Sequence, residues 1–549
     1  MAKPTRYTPE MFEEYRKKGY WDSLTVSDVW ERNAEIYPER EAVVDALTRV
    51  TWREANQLID KLAYSFLEMG LTKDQMVVLQ LPNSVELCLL RVACERAGLL
   101  CLPIMRTWRH SEMFHALSRT EAVAVVIPWQ LRHFDYYDMI SEIRPRLPNL
   151  KHVIVAGDEV PAGAVSLQEM LDRPLPENFS REIFRTTKAG AEEFSLVVPT
   201  TGTTGMPKFV ENPICSFMWR ERNCVKNLRI TSEDVLAAMT PTAVGSNGRV
   251  YLAAPLAGAK IVMLEHFSPL EALEIIEKEG VTFAPVVPAQ LTMLINHPDF
   301  DKYDVSSLRA VLTMGAPLAY EVAVEVERKL GCPLIQNYSS IDCAAACMGG
   351  LDDSLEVRLR TVGKPYAAAE VRLVDEQGEE VPPGEAGEVL LRGPAAVSGY
   401  YKDPETTWQV WNKDGWYCTG DLGQFDEGGH LLIVGRKKDM IIRGGQNIYP
   451  VEIENLLVTH PRVAAAAVVK MPCLLMGERA CAYVVARGGE DFTLPEMVSF
   501  LKDKGIAPYK IPERLETIDA LPMVAEGQKV DKKTLEKDIG EKLQAEGKT

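Results

Sequence analysis

At 549 residues, with 46% hydrophobic and 25% charged side chains, the chain is too long for one ordinary domain and carries none of the biases of disordered, fibrous or membrane sequences. Its formal charge of −17 argues against a nucleic-acid partner, because neutralising phosphates over an extended contact needs a large basic surface. A polyphosphate ligand would have to be held by a local site. The N-terminal stretch has no apolar core followed by a small-residue cleavage site, and no later segment keeps about 18 apolar residues free of charge. No membrane span is therefore expected, and the cytoplasm is the expected location. The 11 cysteines are scattered, and the nearest pair, Cys343 and Cys347, has neither a CxxC partner nor a nearby histidine pair. Reduced, mostly buried thiols are expected, not a metal centre.

In chain order, the hydrophobic pattern predicts a helix over 52–69, strands over 76–80, 122–127 and 152–156, a helix over 269–279 and a strand over 310–314. Short β-branched runs alternating with amphipathic stretches read as βαβ units, so an α/β fold with partly parallel sheets is expected. A Pro-containing charged stretch near 175–190 lacks periodicity and is read as a break between subdomains. At Gly435 to Gly445 a dense basic run meets two glycines, the composition of a hinge or ligand loop. The expected division is a large N-terminal domain over 1–437 and a small, mobile α+β domain over 438–549. Within the small domain, strands are expected over 462–470 and 480–486, a helix over 494–504, and a polar lysine-rich tail after Asp531.

The apolar run Phe194 to Pro199 leads into Thr200, Thr201, Gly202, Thr203, Thr204, Gly205, Met206, Pro207 and Lys208. Backbone N–H groups and hydroxyls of such a loop can surround phosphate oxygens, glycine allowing close approach and lysine adding charge. A Walker loop would place Ser or Thr after its lysine to meet magnesium, whereas Lys208 follows a proline and precedes Phe209. A P-loop NTPase is disfavoured.

This loop resembles the phosphate loop of the acyl-CoA synthetases, peptide-synthetase adenylation domains and firefly luciferases, together the adenylate-forming superfamily. Further motifs of that superfamily follow in order over nearly the whole chain. Gly315, Ala316 and Pro317 resemble the segment that packs on adenine. Asn337, Tyr338, Ser339, Ser340, Ile341 and Asp342 resemble the Tyr-Gly-x-Thr-Glu motif, whose aromatic stacks on adenine and whose acid helps hold magnesium. Here Ser339 replaces Gly, Ile341 a hydroxyl residue, and Asp342 a Glu, which shortens the acid's reach by one methylene. Asp421, in Tyr417-Cys418-Thr419-Gly420-Asp421, corresponds to the aspartate that accepts hydrogen bonds from both ribose hydroxyls, and Arg436 to a second ribose or phosphate contact. Lys438 falls at the superfamily's hinge, and Gly444 and Gly445 at the turn that approaches the thiol of coenzyme A. The closing segment from Leu521 resembles LPxTxxGKVDK with one extra residue, Gln528, so the register of the following Val-Asp-Lys-Lys selects Lys529 as the adenylation lysine. Lys532 and Lys533 compete for that assignment.

The resemblance implies an ATP-dependent carboxylate–CoA ligase using magnesium. A carboxylate attacks the α-phosphate of ATP, with Lys529, Thr203 of the phosphate loop and Asp342 at the reacting groups, and a thiol then takes the acyl group after the small domain rotates about Lys438. The implied acyl pocket comprises Val244, Gly245, Ser246, Thr313 and Ser339. The N-terminal half resembles the aryl-acid branch, yet Val244 and Gly245 replace that branch's His-Asn pair. A compact, mostly apolar acid is therefore expected: an alicyclic or aromatic carboxylate, or a short to medium fatty acid. Two alternatives are loading of a carrier-protein phosphopantetheine and, in another class, a non-catalytic nucleotide-binding protein. The oligomeric state is left open between monomer and homodimer.

Overall fold

The computed structural model describes residues 3–157, 159–200, 206–241, 249–473, 475–489, 492–524 and 529–546. Two large sheets organise the N-terminal part. The first, among the described residues, runs in the order Gly399–Tyr400, Phe209–Pro213, Phe194–Pro199, Leu100–Pro103, Met76–Leu79, Ala124–Pro128, His152–Ala156 and Val165–Ser166. The second places Leu334–Ser340, Ala310–Thr313, Phe283–Val286, Val235–Ala238, Lys260–Met263 and Glu41–Val44 side by side in parallel, with antiparallel strands at its edges. The parallel strands are near-continuous apolar runs because both faces are covered. Helices Trp52–Glu68, Val85–Ala97 and Ile214–Asn227 contribute Phe66, Leu89 and Phe217 to one core that also contains Val77 and Leu79 of the first sheet and Val43, Ile261 and Leu312 of the second.

The segment near 175–190 leads into a strand of the first sheet. Phe194–Pro199 hydrogen-bonds in parallel with Leu100–Pro103, so the segment crosses back into the sheet it leaves. Its short helix Glu182–Arg185 buries Phe184 against the same core.

An antiparallel sheet of Glu370–Val374, Gly387–Arg392, Tyr417–Phe425 and Leu431–Arg436 follows. A smaller C-terminal sheet then pairs Val463–Cys473 with Gly477–Ala486, flanked by Ile441–Arg443, Gln446–Ile448 and Arg514–Thr517. The lysine-rich tail is corrected: Lys532–Ala545 is a helix that buries Leu535, Ile539 and Leu543 against Val469, Met471 and Tyr483 of this sheet. Its apolar positions recur at i, i+4 and i+8, a stripe that the surrounding lysines obscure by composition. No described helix is long and apolar enough to cross a membrane.

The first residues act as a strap. Thr5 donates its backbone N–H and hydroxyl to the two oxygens of Glu211 at 2.8 Å, Arg6 Nη2 donates to the Val397 carbonyl at 2.9 Å, and Trp21 Nε1 donates to the Pro394 carbonyl at 2.9 Å. The Tyr7 hydroxyl donates to the Ala396 carbonyl, and the Arg6 guanidinium lies 3.5 Å from the centre of the Trp411 ring.

Candidate functional site

The C-terminal ends of the parallel strands open on a cavity of about 2020 Å³, large enough for more than one small ligand. Its walls come from both parts of the chain. Strand Leu334–Ser340 delivers Asn337, Tyr338 and Ser339, and a register shift between Tyr338 and Ser339 re-aims successive side chains. Strand Ala310–Thr313 is followed two residues on by Gly315, whose φ of +91° only glycine adopts without strain, and Gly315, Ala316 and Pro317 all line the cavity. Thr313 is buried, and its hydroxyl has no partner among the described residues.

Adjacent antiparallel strands supply the acidic centre. Asp421 on Tyr417–Phe425 and Arg436 on Leu431–Arg436 are register partners, with Arg436 Nε 3.0 Å from Asp421 Oδ1. The buried Tyr338 hydroxyl donates to Asp421 Oδ2 at 2.7 Å. Burial, then the Asp421 charge, pushes the Tyr338 phenol well above its ordinary range and keeps it a donor. Each Asp421 oxygen retains a lone pair, so the carboxylate can still accept two hydroxyl groups of a ligand.

Asp342 lies across the cavity, its Oδ1 accepting from the Tyr400 hydroxyl at 2.6 Å. Lys208 sits with its ammonium 4.7 Å from the Tyr400 ring centre, and its backbone N–H donates to Thr200 Oγ1 at 3.0 Å. Thr200 and Lys208 therefore mark the two ends of the expected phosphate loop on the cavity wall. Thr201, Gly202, Thr203, Thr204 and Gly205, like Val244, Gly245 and Ser246, lie outside the described residues.

From the C-terminal part, Lys529 reaches the same cavity on a two-stranded ribbon formed with Met523–Val524. Burial, and then the nearby Arg436 charge, lower its ammonium to about 8, against partial compensation by Asp421 and Asp342. Lys532 and Lys533 line the cavity too, but Lys532 is paired with Glu454 at 2.6 Å. Lys529 lies within reach of the charges of Arg436, Asp421 and Asp342. Lys438 also lines the cavity and is lowered by burial and Arg436. Gly444 and Gly445 do not: they form the turn between Ile441–Arg443 and Gln446–Ile448.

Sequence patterns missed a second polar group. Arg220 and Glu221 on helix Ile214–Asn227, together with Arg249, line the cavity while almost fully buried. The charged run Arg220-Glu221-Arg222 directly after the apolar first turns of this helix is the signal that could have revealed it. Tyr400, the partner of Asp342, was missed because nothing local distinguishes it from a core tyrosine.

The chain matches the family described as AMP-binding enzyme over residues 30–401 and the AMP-binding enzyme C-terminal domain over residues 452–528. It is 32% identical over 546 residues to the 2,3-dihydroxybenzoate-AMP ligase of Bacillus subtilis (strain 168), covering 98% of each chain. It is 32% identical over 533 residues to the medium-chain fatty-acid–CoA ligase of Escherichia coli (strain K12), covering 96% of this chain and 93% of that one. Among solved structures, the amide bond synthetase McbA of Marinactinospora thermotolerans superposes with a TM-score of 0.83 at 28% identity, over 94% of this chain and 100% of that one.

Proposed function

The chain belongs to the AMP-binding enzyme family, the adenylate-forming ligases, and on that premise we propose that it is an acid–thiol ligase whose acceptor is coenzyme A. It would act in the cytoplasm on a compact acid with a mostly apolar body, aromatic, alicyclic or short to medium aliphatic. The observation that carries this reading is the meeting of Lys529 from the C-terminal part with Asp421, Arg436, Tyr338 and Asp342 from the N-terminal part in one cavity.

In the first half-reaction the carboxylate oxygen bonds to the α-phosphorus of ATP and pyrophosphate leaves. Asp421 accepts the ribose hydroxyls, Tyr338 offers its ring face to the base, and Thr200 and Lys208 frame the phosphates. The Lys529 ammonium, about nine-tenths protonated at pH 7 for a group titrating near 8, donates to the oxygens on which charge develops. Among the described residues no three His, Cys, Asp or Glu side chains gather into a metal site. One carboxylate plus nucleotide phosphates is a usual environment for magnesium, and Asp342, whose second oxygen has no described hydrogen-bond partner, fits it. Magnesium there would neutralise phosphate charge.

In the second half-reaction the thiol sulfur bonds to the acyl carbon, AMP leaves, and the thiol proton passes to solvent. Gly444 and Gly445 stand apart from the cavity in this arrangement. We place the domain boundary at 437/438, with Lys438 as the hinge whose rotation withdraws Lys529 and brings the glycine turn in. The likeness to a 2,3-dihydroxybenzoate-AMP ligase supports a second reading, transfer to a carrier-protein thiol.

The test is incubation with ATP, magnesium, coenzyme A and an acid panel, with AMP and acyl-CoA read by mass spectrometry. AMP with matching acyl-CoA is expected. Acyl-AMP without acyl-CoA, but with loading of a phosphopantetheinylated carrier, would move the acceptor to the second reading. Lys529→Ala is expected to slow acyl-AMP formation by about 10²- to 10³-fold while thiolysis of supplied acyl-AMP persists. Unchanged adenylation would show that another lysine serves.

A further inference from the structure

One buried ionic group in the cavity is unused by the chemistry above. Arg220 Nε donates to Glu221 Oε1 at 2.9 Å, and Arg249 Nη1 lies 3.3 Å from Glu221 Oε2, so two guanidinium groups divide one carboxylate. Arg220 is 9% exposed, Glu221 1% and Arg249 5%. The arrangement leaves a net positive charge on the cavity wall, two guanidinium groups against one carboxylate, which an anionic group entering the cavity would answer. Elsewhere in the fold the fully buried Arg96 shares Asp60 with Arg181 and also faces Glu31, so there two carboxylates answer two guanidinium groups.

The two arginines are not equivalent. Arg249 Nη2 donates to Asn337 Oδ1, and the guanidinium lies near the Tyr366 ring. Among the described residues Arg220 forms no hydrogen bond beyond that of Nε, its guanidinium lying 4.7 Å from the centre of the Phe217 ring, so neither Nη group of its planar fork has a described hydrogen-bond partner, and it borders the cavity. The bond from Arg249 to Asn337 places this cluster at the strand that carries Tyr338 and Ser339. Leu196, Val198 and Phe217 make the neighbouring cavity wall apolar. The result is an apolar compartment with a cationic fork on its wall.

We propose that this compartment selects a carboxylic acid bearing an oxygen-acceptor group at its far end, with a second carboxylate as the fullest match, and that Arg220 is the residue that binds it. The inference rests on the ligase reading for the identity of the first carboxylate, but the fork itself can be read separately. A bidentate carboxylate would satisfy both Nη groups and neutralise the surplus charge. The apolar walls would bury the connecting ring or chain. The sequence-based expectation of a mostly apolar acid then holds for the body of the substrate and not for its end.

The experiment compares matched acids: benzoate with terephthalate, cyclohexanecarboxylate with its 1,4-dicarboxylate, and hexanoate with adipate. Each pair is measured as acyl-AMP formation and, without ATP, as calorimetric binding to the full-length protein, for wild type, Arg220→Met and Arg220→Lys. At least one diacid is expected to exceed its partner about tenfold or more in kcat/KM and in affinity. That ratio should fall toward one in Arg220→Met and be partly kept in Arg220→Lys. Binding of ATP by each variant checks that the cavity remains folded. Wild type preferring every monoacid, or Arg220→Met keeping the diacid preference, would overturn the proposal while leaving the ligase intact. Diacid binding that depends on Arg220, with no adenylate from any acid, would uphold the fork and overturn the ligase reading instead.

Discussion

Lys529 carries the sharpest residue-level consequence of the cavity. Burial favours its neutral amine, so its folded-state titration is lowered to about 8, with Arg436 adding to the shift. The protonated form that adenylation needs is complete well below that value and is lost as pH rises through it. In kcat/KM for acyl-AMP formation, a limb is expected that falls about tenfold per unit above pH 8. Lys529→Arg should move this limb beyond pH 10, because a guanidinium stays charged there. A wild-type profile flat to pH 10 would show that the charge of Lys529 is not used. The tenfold-or-greater diacid preference set by Arg220 belongs to the same scale, and both predictions rest on groups whose burial, not identity, makes them chemically distinctive.

Among the elements, the strand Leu334–Ser340 is held by its neighbours as much as by its own sequence. Asn337 Nδ2 donates to the Cys347 carbonyl on Ala344–Met348, and Lys364–Pro365 closes the edge beyond. The turn into that edge passes Gly363 at a φ of +77°, where an added Cβ would stand 2.2 Å from the Met348 carbonyl carbon. Gly363→Ala is expected to destabilise by about 3 kcal/mol or more, read as an earlier unfolding midpoint, and to raise the KM for ATP through displacement of Tyr338. A midpoint unchanged within error would show that the edge yields cheaply.

Much of this was legible in the sequence. Helix Pro269–Glu279 and strand His152–Ala156 have the expected limits, because alternation and caps are local properties. That Asp421, Arg436, Tyr338 and Lys529 share a cavity follows the order of the motifs in which they lie. What stayed hidden depends on distance in space. The return of Phe194–Pro199 to its own sheet, the partnership of Tyr400 with Asp342, and the sharing of Glu221 by Arg220 and Arg249 each join segments that no local pattern relates. The helix Lys532–Ala545 was missed for a different reason, its apolar stripe being diluted by lysine.

For the whole molecule, the proposed hinge makes the two half-reactions separable. Lys438→Pro fixes one backbone torsion at the boundary. With Lys529 already in the cavity, acyl-AMP formation is expected to persist, while thioester formation falls on the order of a hundredfold, the cost of a misplaced acceptor. Equal loss of both steps would place the hinge elsewhere. The N-terminal strap also sets a whole-molecule constraint. Arg6 and its acceptor Val397 are 391 residues apart in the chain. On a ribosome moving at the usual pace, roughly 20 to 80 s pass between synthesis of the first and emergence of the second. Through that interval Trp21 and Tyr20 can already pack against Cys215 and Trp219, but the hydrogen bonds to the carbonyls of residues 394–397 cannot form, so the strap is tied in two stages separated by the synthesis of the chain between Trp219 and Pro394.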